Sequence, residues 1–298
     1  MRVTQSMLSN NLLRNLNTNY GKLSKLQEMI QSGAKITRPS DDPVVAVKGM
    51  AYRIELDRVE QYQRNIGDAQ SWLDTTDEAL GQVGEALKRV QELTVQAAND
   101  TNTPEDRQKI EQEISQIRMQ IRDVANTRVG DNYIFSGTHT DMPVFVNGAV
   151  NPALTTGANK SISLNVFEGI SIDVNTPGKA IFEKIDQFMG ELETVLANGT
   201  SGSDIGDKLG DGSSGELSGL YETVLAARAG VGARQNRVEM MENRLDLQEV
   251  NVTKQKSENE DTDYAKTITE MTTAQAIHQA SLSVGANIIQ QTLVDFIR

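Results

Sequence analysis

Near the N-terminus, Leu12, Leu16, Leu23, Leu26 and Ile30 recur at the alternating steps of three and four residues that place one narrow apolar face on a helix. Toward the other end, Ile277, Ala280, Val284, Ile288, Val294 and Ile297 carry an apolar stripe almost to Arg298. Terminal segments ordinarily fray and drift toward polar sequence. Apolar helical ones need a covering surface, so these stripes are predicted to serve assembly. Asn19 occupies the seam position between Leu16 and Leu23. A polar residue there either fixes register and partner number at a cost in stability or marks a turn where the coiled coil is interrupted.

The same spacing returns inside the chain. Leu80, Val83, Leu87, Val90, Thr94 and Ala97 step 3, 4, 3, 4, 3, and Ile110, Ile114, Ile117, Ile121 and Val124 step 4, 3, 4, 3. From Leu217 the pattern resumes through Leu220, Val224, Ala227, Val231, Arg234, Val238, Met241, Leu245, Gln248 and Val252. The spacing predicts a first helix over about 4–31, closed by Gly33 and the Thr37-Arg38-Pro39-Ser40 segment. A second starts at the Asp41-Asp42-Pro43 cap and runs to about Leu73. Thr75 with Glu78 reads as a capping box that restarts a helix, and Thr103-Pro104 opens another. Thr253 to Asp263 is polar on every face, and a last helix begins near Tyr264.

Between Gly130 and Gly215 the texture differs. Tyr133-Ile134-Phe135, Val144-Phe145-Val146 and the alternating Ile162, Leu164 and Val166 read as strands, the last turning at Glu168-Gly169 into Ile170, Ile172 and Val174. A short helix over Ala180–Leu196 follows, then a loop rich in Gly, Ser and Asp over 198–215. The expected fold is mainly α with an inserted α+β region: an antiparallel coiled-coil bundle made by the N- and C-terminal thirds around a β-rich middle domain. The expected division is terminal helices at 1–42 plus 260–298, a helical bundle at 43–132 plus 216–259, and the β-rich domain at 133–215. Charge favours the pairing of the thirds. Residues 1–40 carry six cations and one acid, a net of +5, and residues 239–298 carry five cations and ten acids, a net of −5.

The net charge of −12 disfavours nucleic acid and an anionic membrane as partners, and no stretch approaches a membrane span. Aromatic residues are only 4% of the chain, which suits helices with narrow seams better than a thick enzyme core. There is no cysteine, so disulfides, thiolate metal sites and cysteine nucleophiles are excluded. The N-terminal residues show no apolar signal-peptide core, so an exported form is expected to leave by another route. His139 and His278 are the only histidines and stand in no catalytic or metal-binding motif, so neither enzyme activity nor a cofactor is expected. Asp204, Asp207 and Asp211 lack calcium-loop spacing and read as a solvated loop. Gly230-Val231-Gly232-Ala233 follows no strand and reads as close helix packing or a bend, not a phosphate loop. Met240, Met241 and Met271 are expected in the core, and Trp72 as a packing anchor.

Several ordered motifs resemble the bacterial flagellin family. They are the opening Met1-Arg2-Val3, the turn Ser32-Gly33-Ala34-Lys35-Ile36-Thr37-Arg38-Pro39-Ser40-Asp41-Asp42-Pro43, Leu93-Thr94-Val95-Gln96-Ala97-Ala98-Asn99-Asp100-Thr101, Thr262-Asp263-Tyr264-Ala265, and Ala286-Asn287 with its apolar tail. The motif residues singled out are Arg38, Asp41, Asp42, Gln96, Asn99, Asp263, Tyr264 and Asn287. The likeness covers about the first 140 and last 80 residues. Pro39 and Pro43 depart from filament flagellins, as does Tyr133-Ile134-Phe135-Ser136-Gly137-Thr138 followed by Asp141, Pro143 and Phe145; the flagellin FNGxxLL stretch is absent. These features resemble the members that join hook to filament. The resemblance implies a secreted structural subunit: a homo-oligomeric ring between hook-associated protein 1 and flagellin, exported by the flagellum's own type III apparatus with a flagellar export chaperone at its C-terminal region. Its terminal helices would line the inner tube, the heptad helices the next shell, and the middle domain the outside. A filament flagellin is the second reading, and a cytoplasmic coiled-coil scaffold a more distant one.

Overall fold

The computed structural model describes residues 5–99, 101–154, 157–198, 205, 206, 208, 209 and 217–296, with the backbone alone for residues 5, 6, 8 and 287–296. Residues 1–3 of the opening motif, Asp204, Asp207, Asp211 and Ile297 lie outside the described residues. So do the side chains of Asn287, Ile288 and Val294.

The elements in order are α1 (Gln5–Ser32), α2 (Pro43–Ala97), α3 (Pro104–Ala125), β1 (Arg128–Val129), β2 (Asn132–Tyr133), β3 (Phe145–Val146), β4 (Ala149–Val150), β5 (Ser163–Phe167), β6 (Ile170–Asp173), α4 (Lys179–Ala197), α5 (Leu217–Glu260) and α6 (Tyr264–Phe296). Two differences from the sequence-based boundaries have local causes. The expected break at Thr75 does not occur: α2 is one 55-residue helix. Thr75 and Thr76 turn their hydroxyls back onto the carbonyls of Ser71 and Trp72 at 2.8 and 2.7 Å, which a helix interior accommodates. The polar stretch from Thr253 stays helical to Glu260. Thr103 does cap α3: its hydroxyl accepts the Asp106 N–H at 3.3 Å, with Pro104 next in line.

The chain forms two compact units, residues 1–58 with 248–298, and residues 59–247. In the second, the heptad positions become the core. Leu80, Val83, Leu87, Val90, Thr94 and Ala97 of α2, Ile110, Ile114, Ile117, Ile121 and Val124 of α3, and Leu220, Val224, Val231, Val238 and Leu245 of α5 are all buried. Burying each of the large aliphatic residues contributes about 1.5–3 kcal/mol. Polar pairs along the rim fix α2 and α5 as antiparallel: Gln63 with Asp246, Gln70 with Glu242, Asp74 with Gln235, and Asp77 with Arg228. Met240 is exposed instead of buried, and a Cβ at Gly230 or Gly232 would meet open space, so these glycines serve no close packing.

Among the described residues, the middle region holds three separate two-stranded antiparallel ribbons and the helix α4. Only the β5–β6 hairpin, turning at Glu168-Gly169, has the expected length. Ile134 and Phe135, expected to extend a strand, are buried beside the two-residue ribbon β1–β2, and Phe135 meets Phe182 of α4 edge to face at 4.8 Å. The fully buried Asn175 takes the role a longer sheet would have filled. Its amide accepts from the Ile162 N–H at 2.7 Å and donates to the Gly137 carbonyl at 3.0 Å. Arg234 of α5 donates to the carbonyls of Asp173 and Asn175 and to the Thr176 hydroxyl. Phe167, at the hairpin tip, lies between the Tyr62 ring and the Arg244 guanidinium.

Helix α4 is held to α3 by charge. Arg118 grips Asp186 with two hydrogen bonds of 2.8 and 2.9 Å, Arg122 adds a third at 2.6 Å, and Arg118 also reaches Glu193 at 2.6 Å. Burial pushes the Asp186 carboxyl up, but hydrogen bonds from the two guanidiniums and their charges outweigh it and hold the group below its ordinary value. A carboxyl depressed on folding contributes stability that is complete above its unfolded pKa and is lost as the pH falls through the folded one. Urea melts below pH 4 are therefore expected to show an acid-dependent loss that Asp186→Asn reduces, the depressed Asp77 carboxyl still contributing its share. At neutral pH the same substitution is expected to cost about 2 kcal/mol, since both arginines lose a partly buried partner.

Candidate assembly interface

In the first unit, α1 packs along α6. Two contacts set the register. The Tyr264 hydroxyl lies against Gly33, and Leu12 lies over Gly285, where a Cβ would come within 2.8 Å of it. In both contacts the two residue numbers add to 297. Carried along the pair, that register faces Leu16 to Ser281, Asn19 to His278, Leu23 to Ala274, Leu26 to Met271, and Ile30 to Thr267. These are the positions that exposure independently picks out, since each is at least half withdrawn from solvent while its helix neighbours, Met29 apart, are exposed. The α1 stripe expected from the sequence, Leu12, Leu16, Asn19, Leu23, Leu26 and Ile30, is thus a seam within the chain.

The α6 side of that seam differs from the stripe read in the sequence. Ile277, Ala280 and Val284 are exposed, Ile277 at 49% and Val284 at 54%. The residues that meet α1 are Thr267, Met271, Ala274, His278, Ser281 and Gly285. All but Met271 are small or polar, so a reading keyed to large apolar residues passes over them. Their 4, 3, 4, 3, 4 spacing is the signal that finds them. Small partners let two helices approach closely, which the Leu12–Gly285 contact uses.

At its base the pair is clasped. The connectors α1–α2 and α5–α6 form an antiparallel bridge, with Lys35 N–H donating to the Glu260 carbonyl at 2.7 Å and Thr262 N–H to the Gly33 carbonyl at 2.8 Å. Gly33 has φ +72, a backbone conformation that favours glycine. The Lys35 ammonium donates to the carbonyls of Glu258 and Asn259, placing a cation on the C-terminal end of α5. Asn259 donates to the Val45 carbonyl at 3.0 Å, and Arg53 holds both oxygens of Glu260 at 3.0 Å. The Glu260 carboxylate fills the space where Gly49 lacks a side chain.

The motif residues mostly build these joints. Asp42 accepts the N–H groups of Val44 and Val45 and caps α2; Asp263 accepts the Lys266 N–H and caps α6. Asp41 takes the Arg38 N–H and the Lys25 ammonium, while the Arg38 side chain is exposed. Beyond α2, Gln96 accepts at its carbonyl from Asn102, and the Asn99 side chain accepts from Thr101. Among the described residues no group of His, Asp and Glu is arranged to hold a metal, and no helix is long and apolar enough to cross a membrane.

Terminal helices paired to each other, each carrying further exposed apolar residues, define a helical structural protein of the flagellar type. The family models for the N-terminal and C-terminal helical regions of bacterial flagellin match residues 3–140 and 217–297, and the chain belongs to that family. Flagellar hook-associated protein 3 of Escherichia coli K12 is 25% identical over 94% of this chain and 95% of its own length. A flagellin of Clostridium tyrobutyricum is 31% identical, but the match spans 55% of this chain and 44% of that one. The crystal structure of Bacillus cereus FlgL superposes with a TM-score of 0.56 over 70% of this chain and 99% of that one, at 24% identity, which supports the fold.

Gly49→Ala tests the clasp. The new methyl would overlap a Glu260 carboxylate oxygen, so the carboxylate must swing away from Arg53. Losing the partly exposed pair costs about 1 kcal/mol, which the roughly 0.5–1 kcal/mol gained by Ala over Gly inside a helix offsets, so global stability is expected to change little while the clasp loosens. Amide hydrogen exchange is expected to rise at residues 33–42 and 260–263 and to stay unchanged in the α2–α3 heptads.

Proposed function

We propose that this chain is a secreted structural adaptor of the bacterial flagellum that joins the hook, through hook-associated protein 1, to the flagellin filament. The relation to hook-associated protein 3 along nearly the whole of both chains carries this reading. The Tyr133–Phe145 segment and the missing FNGxxLL stretch support it from the sequence. The chemistry is interface matching: hook and filament differ mechanically, and an adaptor presents a compatible surface to each. In this reading residues 1–42 with 260–298 form the inner wall of a tube, 43–132 with 216–259 the next shell, and 133–215 the outer face. Copies of the chain close into a ring. The exposed Ile277, Ala280 and Val284, with Ile288, Val294 and Ile297, meet neighbouring subunits. A flagellar export chaperone covers the C-terminal region before type III export. The second reading, a filament flagellin, is favoured by the 31% identity to the clostridial flagellin over about half the chain.

Imaging of sheared flagella labelled for this protein separates the two. Label confined to the hook–filament boundary is expected; label along the filament identifies a flagellin. Deletion of the gene is expected to leave hooks intact and spill flagellin into the medium. In the free chain the terminal helices lack their neighbours, and their outer turns are expected to be cut by protease well before residues 43–130. Equal resistance would count against a surface that is completed only on assembly.

A further inference from the structure

The α1–α6 seam contains one layer that is polar on both sides. Asn19 of α1 faces His278 of α6, and the Tyr20 ring sits 6.1 Å from the imidazole at a tilt of 48°. The His278 Nδ1 is sealed from solvent and has no hydrogen-bond partner. A buried polar atom left unsatisfied weakens the structure around it, and an asparagine in a heptad seam does the same.

The two sides of this layer are unequal. Toward the clasp, Leu23 faces Ala274, Leu26 faces Met271, and Ile30 faces Thr267, followed by the backbone bridge and the Arg53–Glu260 pair. Away from it, Leu16 faces Ser281 and Leu12 faces Gly285, so each leucine meets a hydroxyl-bearing or absent side chain. Ser281 directs its hydroxyl back to the Ile277 carbonyl at 2.8 Å and not across the seam. The polar bonds of Arg14 and Thr18 also stay within α1. Among the described residues no hydrogen bond or ion pair ties residues 7–18 to α6.

We infer that the Asn19–His278 layer is a built-in breakpoint of the terminal helix pair: residues 5–18 and 279–296 separate as one unit, while residues 20–32 and 264–277 stay closed against the clasp. The clasp already sets the register, so the polar layer is not required for that, and its effect is to divide one long seam into two stability segments. The inference rests on the geometry of the pair and holds for either position in the flagellum.

Hydrogen exchange of the full-length free chain, read by mass spectrometry, tests it. The wild type is expected to show a step of at least tenfold in exchange rate between residues 8–18 and 21–30, mirrored between 279–286 and 265–277. Asn19→Leu with His278→Leu is expected to slow the outer segments at least tenfold and erase the step. Leu26→Asn with Met271→His, which places a second such layer nearer the clasp, is expected to move the step inward by one heptad. A wild-type pair that exchanges uniformly, or a step that neither double variant moves, overturns the inference.

Discussion

Everything else in the first unit hangs on the bridge between the two connectors. A helix of 28 residues with one apolar face is marginal in water by itself. Here α1 is supported along its length because α6 starts beside it, and α6 starts beside it because Lys35, Gly33, Glu260 and Thr262 join the connectors through their backbones. Caps reinforce the joint from both sides. Asp42 begins α2 and Asp263 begins α6, each using a carboxylate to satisfy N–H groups that a helix end leaves unpaired. Lys35 does the complementary task at the carbonyl end of α5.

The second unit uses the same economy of means with a different result. Its seams are mostly buried and aliphatic, as at Leu87, Ile114 and Val238. The insert is anchored to them by polar and aromatic fasteners instead of a continuous sheet. Asn175 and Arg234 supply backbone partners that six short strands cannot, while Phe167 and the Arg118–Asp186 pair fasten the hairpin tip and α4. This division of labour leaves the insert small and the helices long.

The heptads announced themselves in the sequence because helix periodicity and burial coincide there: the predicted stripes of α1, α2, α3 and α5 are the positions withdrawn from solvent. The insert was less legible. Tyr133-Ile134-Phe135 has strand composition, yet Ile134 and Phe135 are buried by α4 and a turn, a tertiary effect that local pattern does not encode. The α6 side of the seam is hidden for a different reason. Its inward face is not the large apolar one: α1 supplies the bulk and α6 supplies the space, so Ser281 and Gly285 lie inward and Val284 outward. The clasp was invisible in sequence because Glu260 lies 207 positions from Arg53, and it, Gly49 and Arg53 are unremarkable singly.

The distance along the chain between the clasp's two halves has a consequence for the order of folding. Lys35 and the Glu258 carbonyl it holds are separated by 223 positions. Bringing such remote segments together carries a loop-closure entropy that local contacts avoid, so the connection forms late. A chain delivered end first therefore presents α1 long before its partner arrives. Residues 59–247 have time to fold alone, and the terminal pair closes last.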